Sequence, residues 1–465
     1  MRTTKRKFLF MQIYDHTGIK KRLEQMAEDG WKLEKIGGMG GYKFRRIEPT
    51  ELQYTIVYFP DASEFDPEPG AEQREFIELC EQSGWEYIDS TGQMLVFCAK
   101  EPNPIPIETD ALLQVETAHK AMKKSFLPGQ YALLALSILQ LLLFAYRIVT
   151  EPVNVLLQDA LLVSLVCYGL IFVMCVHHIG SYFLWRRKAL AGAVDGIFVE
   201  TKGSALIEKV SLSIVTVVFI FWMSSLLGDS HAMYIVAYSF VVMGIYCAVI
   251  FGAKALMKRL KFDRDTNKLV TFGSIVVGTV IVTVVLTGAV MNTELPEPKN
   301  EISNGVVDTY YYNGRERYVY DDPIPLTLAD LGIEAVYENR SRVHDVTDSV
   351  LMTVYNGQEI APWGAEAGLP ELHYTLTIPK FAFLMKLCAE DVLDDRRIRS
   401  LYGEGREVDS SLWQAEQVYE RTVEGNDGVH YTVIWPDRIL EISLPVSPTD
   451  GQIQTIAEQL KTYEP

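Results

Sequence analysis

The sequence predicts a multi-domain membrane protein in three parts: an N-terminal α+β sandwich of ferredoxin-like type, a five-helix transmembrane region and a C-terminal α+β domain. Three observations carry this reading. The phrase LEQMAEDGW at 23–31 returns as IELCEQSGW at 77–85, fifty-four residues on. Apolar runs near twenty residues long, the length needed to cross a bilayer, recur after residue 127. Charge is also uneven, because residues 292–465 hold 31 Asp and Glu against 14 Lys and Arg, which accounts for the whole formal charge of −17. A chain of 465 residues with 48% hydrophobic and 22% charged residues fits several such units.

In residues 1–100 both copies of the phrase place apolar residues at helical spacing, Ile19, Leu23 and Met26 in one and Phe76, Ile77 and Cys80 in the other. Each stops at glycine, Gly30 or Gly84, where a residue without Cβ accepts the left-handed conformation after a helix end. Trp31 and Trp85 then begin strands, WKLEKI and WEYIDS. With KFLFMQIY, YKFRRI, LQYTIVYF and MLVFCA as further strands, the order is strand, helix, three strands, helix, two strands. That order predicts two helices on one face of an antiparallel sheet. GGMGG at 37–41 joins strand to strand, so it reads as a hairpin and not as a phosphate cradle, which would open a helix.

The run from Asp15 to Leu33 with its LE-x-MA-x-x-GW core, the hairpin followed by YKF, the YTIVYF strand and the second GWEYI together resemble a small cytosolic domain of unknown function from Gram-positive bacteria. That domain is commonly attached to membrane spans and often encoded beside a PadR-like transcriptional regulator. The resemblance covers about the first hundred residues. It implies a bacterial plasma-membrane context with a PadR-like regulator as genetic neighbour, and it carries over no catalytic residue.

Residues 101–127 read as a proline-rich linker and basic flank, and 128–291 as the membrane region, with spans at about 129–149, 160–182, 210–228, 233–252 and 269–291. Lys120, Lys123 and Lys124 precede the first span. Arg186, Arg187, Lys188, Lys202 and Lys209 lie between the second and third, and a basic loop from Lys254 to Lys268 lies between the fourth and fifth. The alternate loops are nearly bare of Lys and Arg. Cytoplasmic flanks are enriched in these residues, which predicts a cytoplasmic N-terminus and, after five spans, an extracytoplasmic C-terminus. Residues 1–14 lack a sustained apolar core, so no cleavable signal is expected.

Residues 292–465 read as an acidic extracytoplasmic α+β domain. VVDTYYYN and RERYVYDD suggest a hairpin about Asn313 and Gly314, and DDPIPLTLADLGI a short helix after its prolines. A helix is expected through Phe381, Leu384, Met385, Leu387 and Cys388. GVHYTVIWPDRILEISLP suggests a second hairpin at Pro436 and Asp437, and Thr449 or Asp450 can cap a final helix.

No catalytic signature is written: there is no H-E-x-x-H, G-x-S-x-G or P-loop, and nothing resembles an ATP-binding domain. Six cysteines without a C-x-x-C pair suggest neither a zinc knuckle nor a disulfide framework. No cofactor and no metal is expected; the pairs Asp321–Asp322 and Asp394–Asp395 lack calcium-loop spacing. The acidic balance argues against nucleic acid, so the expected partners are the lipid bilayer and a protein on the cytosolic side. Gln140, His177 and His178 are the polar candidates within the spans, and the two histidines fall near the inner end of the second. The expectation is a non-enzymatic sensor or regulator linking an extracytoplasmic to a cytosolic domain. The alternative is a transport-associated or permease-like subunit, in which Gln140 would face His177. An outer-domain hydrolase would need His344, His373 or His430 gathered with carboxylates.

Overall fold

The structure, a computed structural model, describes residues 3–8, 12–37, 41–99, 104–201, 205–225, 230–292, 306–334, 337–365, 368–394, 396–422 and 428–465. The chain divides into two compact units, Met1–Leu141 with Val166–Thr293, and Leu142–Leu165 with Glu294–Pro465.

The first unit opens with β1 (Thr4–Phe8), α1 (His16–Glu28), β2 (Trp31–Ile36), β3 (Gly41–Arg46), β4 (Tyr54–Tyr58), α2 (Ala71–Gln82), β5 (Trp85–Thr91) and β6 (Met94–Ala99). The strands form two antiparallel sheets of three, ordered β1-β3-β2 and β4-β6-β5. The repeated phrase therefore belongs to a larger repeat, a strand–helix–strand–strand unit used twice with the same pairing. Register shifts fall between Leu33 and Lys35 in one copy and between Tyr87 and Asp89 in the other. Equivalent residues also meet, since Lys32 Nζ lies 2.7 Å from Glu86 Oε2 across the 54-residue offset.

This corrects the expected single sheet with both helices on one face. β4 and β6 are apolar on both faces, and alternate residues of a strand point opposite ways. Tyr54, Ile56, Tyr58, Met94, Val96 and Cys98 pack with α1, while Val57, Leu95, Phe97 and Ala99 pack with Cys80 of α2. The second sheet is thus held between the two helices. Gly30 and Gly84 take φ of +82° and +93°, the left-handed region in which a Cβ is strained. Trp31 carries Lys5 and Arg46 over its ring at 5.2 and 5.0 Å, whereas buried Trp85 donates from Nε1 to the Ile105 carbonyl at 2.8 Å. Of GGMGG, 38–40 lie outside the described residues.

A second correction concerns the basic flank. From Ala111 to Lys124 it is helix α3, capped by Asp110, whose carboxylate accepts from the Leu112 and Leu113 amides. Val115, Ala118, Ala121 and Met122 join the domain core. Just before it, burial pushes the Glu108 carboxyl up to about 7, although Gln114 Nε2 donates to it.

Among the described residues, four helices are long and apolar enough to cross a membrane, not five. They are α4 (Phe126–Thr150), α6 (Asp159–Val194), α8 (Ser230–Arg259) and α9 (Arg264–Asn292). The expected third span falls on α7 (Ala205–Ser225), whose described apolar stretch is Lys209–Ile220. α6 runs well past the expected end at 182. Between α8 and α9, Tyr246 donates to the Ile275 carbonyl at 3.1 Å and meets the Thr279 hydroxyl at 2.9 Å. A Cβ on Gly278 would stand 2.5 Å from the Tyr246 ring, so this close crossing requires glycine.

The second unit contains α5 (Pro152–Leu157), between α4 and α6, and the C-terminal sheet domain. β7 (Val306–Tyr312) and β8 (Arg315–Tyr320) form a hairpin in which Asn313 and Gly314 both have positive φ, as a two-residue turn of that twist requires. β9 (Ser341–Asp348), β10 (Met352–Ile360), β11 (Leu372–Pro379), β12 (Arg406–Glu407), β13 (Gln417–Thr422), β14 (Val429–Ile434) and β15 (Ile439–Leu444) make one antiparallel sheet ordered β12-β13-β14-β15-β11-β10-β9. The short helix expected within 321–333 is absent, because Pro323 and Pro325 lead into turns. α10 (Met385–Leu393) follows a 3-10 turn at Ala382–Leu384, α11 spans Arg396–Tyr402, and α12 (Asp450–Leu460) starts at a capping box of Thr449 and Gln452.

One face of the sheet buries Tyr355, Leu376, Val433, Trp435 and Leu440 with Ile456 and Leu460 of α12. The other packs Val354, Ile434 and Ile439 against Cys388 and Val392 of α10 and Leu156 of α5. Hydrogen bonds fix α5 there: the Val153 amide donates to Asp391 at 3.0 Å, and Ser349 Oγ donates to the Leu156 carbonyl at 2.8 Å.

Two measurements check this fold. Gly84→Ala places a Cβ in ordinary contact with Pro104 at 3.9 Å but at positive φ, so it should lower thermal stability by about 1 kcal/mol through backbone strain. For Glu108 the folded pKa lies above its unfolded value, so the folded chain binds the extra proton and stability falls as pH rises from about 4.5 to about 7. Glu108→Gln should flatten the melting temperature across that window.

Candidate functional site

The residues most closely engaged with one another outside the cores lie where the first domain meets the segments between membrane helices. The N-terminus of α1 is capped by Asp15, whose Oδ1 accepts from the Gly18 amide at 3.1 Å. The same oxygen accepts a 2.6 Å hydrogen bond from Thr201 Oγ1, in the segment after α6. Thr17 and Thr201 then exchange bonds: each backbone amide donates to the other's hydroxyl oxygen, at 3.0 and 3.1 Å. Asp15 and Thr201 are 4% and 5% exposed, so this hook is shielded from competing water. A Cβ on Gly18 would lie 2.2 Å from the Asp15 carboxylate, so the cap needs glycine there.

Aromatic packing surrounds the hook. His16 meets Trp185 and Tyr58 edge-on at 5.8 and 6.2 Å, and Trp185 Nε1 donates to the Val199 carbonyl at 3.1 Å. Burial pulls the His16 imidazole below its ordinary pKa, and its Nδ1 is shut from solvent without a hydrogen-bond partner among the described residues. Tyr182 of α6 packs on Tyr14 and Phe126 and bonds His119 of α3 at 2.8 Å.

A second contact is electrostatic. The loop between β4 and α2 carries Asp61, Glu64, Asp66 and Glu68, and four cations from the helix ends reach it. Lys124 pairs with Asp61 at 2.8 Å, Lys254 with Glu64 at 2.9 Å and Lys261 with Glu68 at 2.6 Å. Arg264 grips Asp66 through Nε and Nη2 at 2.5 and 2.8 Å and also donates to the Asp61 carbonyl. Asn267 Nδ2 donates to the Phe65 carbonyl at 2.7 Å. The bidentate Arg264–Asp66 pair has the strongest geometry; the exposed lysine pairs contribute little individually.

A family model described as a protein of unknown function (DUF2812) matches residues 15–128. The match starts at the cap residue Asp15 and runs through α3, so it covers the first domain and ends as α4 begins. No curated protein and no solved structure matches the chain.

The residues singled out from sequence stand as follows. His178 is buried with Nε2 3.4 Å from the Gln12 amide nitrogen, and His177 Nε2 lies 3.3 Å from Ser181 Oγ. Their rings are 6.0 Å apart. Gln140 is half-buried on α4, and its side chain makes no hydrogen bond among the described residues. Gly30, Trp31, Gly84 and Trp85 serve the two helix ends described above.

In the C-terminal domain the three histidines do not converge. His344 is buried beside Asp322 at 3.9 Å and stacks on Tyr355, in the face that holds α12. His373 and His430 both oppose Ser443 in register and so share the other face. His373 lies 3.5 Å from Glu371. His430 Nδ1 meets Ser443 Oγ at 2.9 Å and its Nε2 lies 4.0 Å from Glu441, but the ring is 2% exposed under Tyr402, stacked at 5.1 Å. Such a buried imidazole serves packing. Asp321 pairs with Arg342, Asp322 accepts from the His344 amide, and Asp394 pairs with Arg399; Asp395 lies outside the described residues.

Sequence reasoning missed the hook and read the basic loop at 254–268 through topology and lipid. The available signal was the clustering of four acids between 61 and 68 in residues 1–291, whose charges balance as a whole.

The hook predicts a measurable coupling. Asp15→Ala should cost about 1–3 kcal/mol and Thr201→Val about 1 kcal/mol in heat denaturation of the full chain in detergent. The double variant should cost about 1 kcal/mol less than the two single changes together.

Proposed function

We propose that this chain is a non-enzymatic bacterial plasma-membrane protein that passes a change in its C-terminal domain or spans to its cytoplasmic first domain, as a sensor or regulator. The observation that carries the reading is the double attachment of the first domain: Asp15 holds the segment after α6, and the acidic loop holds the turn between α8 and α9. Helix displacement at either point acts directly on that domain.

The attachments also bear on topology. Thr201 and Arg264 both bond the first domain, and α8 must start from the opposite membrane surface to end beside it. Connectivity therefore supports α7 as a fifth crossing, and its 21 residues reach about 30 Å when helical. The segments held by the first domain are the lysine- and arginine-rich ones, which supports a cytoplasmic location. An odd number of crossings then carries the C-terminal domain to the outside. The resemblance to a domain often encoded beside PadR-like regulators supports a signalling module with a cytosolic protein partner.

Reporter fusions test the topology: alkaline phosphatase should be active after Ser225 and after Pro465, and a cytoplasm-only reporter active at either site overturns it. Hydrogen exchange tests the relay. In the full chain, Asp66→Arg should raise exchange at 61–68 and also around Asp15 and Thr201; a change confined to 61–68 would mean that the two attachments act independently.

A further inference from the structure

A cavity of about 460 Å³ lies in the first unit, lined by Pro60, Asp61, Thr117, Lys120, Lys123 and Lys124. One of its cations is already committed, since Lys124 donates to Asp61 and to the Pro60 carbonyl at 2.8 and 2.9 Å. Lys120 acts on the same Asp61 carboxylate only at longer range, and neither Lys120 nor Lys123 makes an ion pair within 4.0 Å among the described residues. Two positive charges are therefore left over in a concave site. Arg186, outside the lining, shares a neighbour with Lys123: both act with burial to hold His119 of α3 below its ordinary pKa, and Arg186 Nε is shut from solvent with no hydrogen-bond partner among the described residues. Uncompensated cations gathered in this way favour an anion.

The place in the chain identifies the anion. Lys123 stands three residues before α4, and Tyr131 and Leu133, the first large exposed apolar side chains of that helix, follow within roughly 15 Å at 1.5 Å per residue. The headgroup layer occupies several ångströms on either side of the hydrocarbon core, so the cavity opens at headgroup level while the adjacent helix offers an apolar wall to acyl chains. We propose that this cavity binds the headgroup of an anionic phospholipid, with Lys120 and Lys123 taking its phosphate and Thr117 beside it. The proposal rests on the reading that α4 crosses a membrane, and it adds a lipid-specific contact on the domain that the acidic loop and the hook already hold.

Native mass spectrometry of the delipidated full chain in detergent, given phosphatidylglycerol or phosphatidylcholine in equal amounts, tests this. The unmodified chain should retain phosphatidylglycerol at least fivefold over phosphatidylcholine, and Lys120→Gln/Lys123→Gln should reduce that preference to twofold or less. Arg187→Gln/Lys188→Gln, at exposed cations outside the cavity lining, should leave it unchanged. An undiminished preference in the lysine variant, an equal loss in the control, or displacement of the lipid by equimolar glycerol 3-phosphate would each overturn the site, the last by assigning it to free phosphate. A melting temperature equal to that of the unmodified chain excludes misfolding, and Lys120→Arg/Lys123→Arg should restore the preference if the fold is intact. Recovery of the chain in the soluble fraction of cells would instead overturn the membrane reading itself.

Discussion

A single carboxylate, Asp15, satisfies two demands that the chain makes on it at once. The first amides of α1 need an acceptor, because helix geometry leaves them without one, and the polypeptide leaving α6 needs an anchor before it turns back toward α7. Asp15 meets both, and Thr17 closes the arrangement by trading hydrogen bonds with Thr201. Everything else about the first domain's attachment is consistent with this fixed point. The aromatic residues Tyr14, Tyr58, Tyr182 and Trp185 fill the space around it, and the salt bridges of the 61–68 loop hold a second position at the turn before α9.

The internal duplication gives this domain its economy and also its asymmetry. Both copies keep the glycine at positive φ, the tryptophan that starts the next strand and the irregular pairing two residues later. They differ in what covers them. The first copy lends its helix to the core that receives α3 and the C-terminal part of α6, whereas the second helix closes a smaller cluster around Trp85, Phe97 and Cys80. Duplicated strands have thus been given unequal neighbours: the first copy meets the segment after α6 through Asp15 and Thr17, and the second meets α8 and α9 through its acidic loop.

Much of this was legible in the residue pattern, and the parts that were not share a cause. Helix ends at Gly30 and Gly84, the Asn313–Gly314 hairpin and the Thr449 cap are local, since each depends on residues within a turn of one another. The partition of six strands into two sheets depends on which strand finds which, and MLVFCA reads the same whether one or both of its faces are buried. β9 to β11 escaped notice because SRVHDVTD and MTVYNGQEI mix polar and apolar residues on strands whose neighbours decide what is buried. Of the candidate site, the charged loops were visible as composition but their pairing was not. Asp15 and Thr201 are 186 positions apart, and nothing in either neighbourhood announces the other.

The separation of those two residues along the chain also orders events during synthesis. Residues 4–99, carrying the cap, the acidic loop and both sheets, leave the ribosome before Thr201, Lys254 or Arg264 has been made. The acceptors Asp15 and Asp66 are thus made before the donors that meet them, and each contact closes only once the later segment, with its threonine or arginine, exists. An arrangement that displaced either later segment would leave Asp15 or Asp66 without its counterpart, so the same contacts that bind the finished protein also distinguish this arrangement from others.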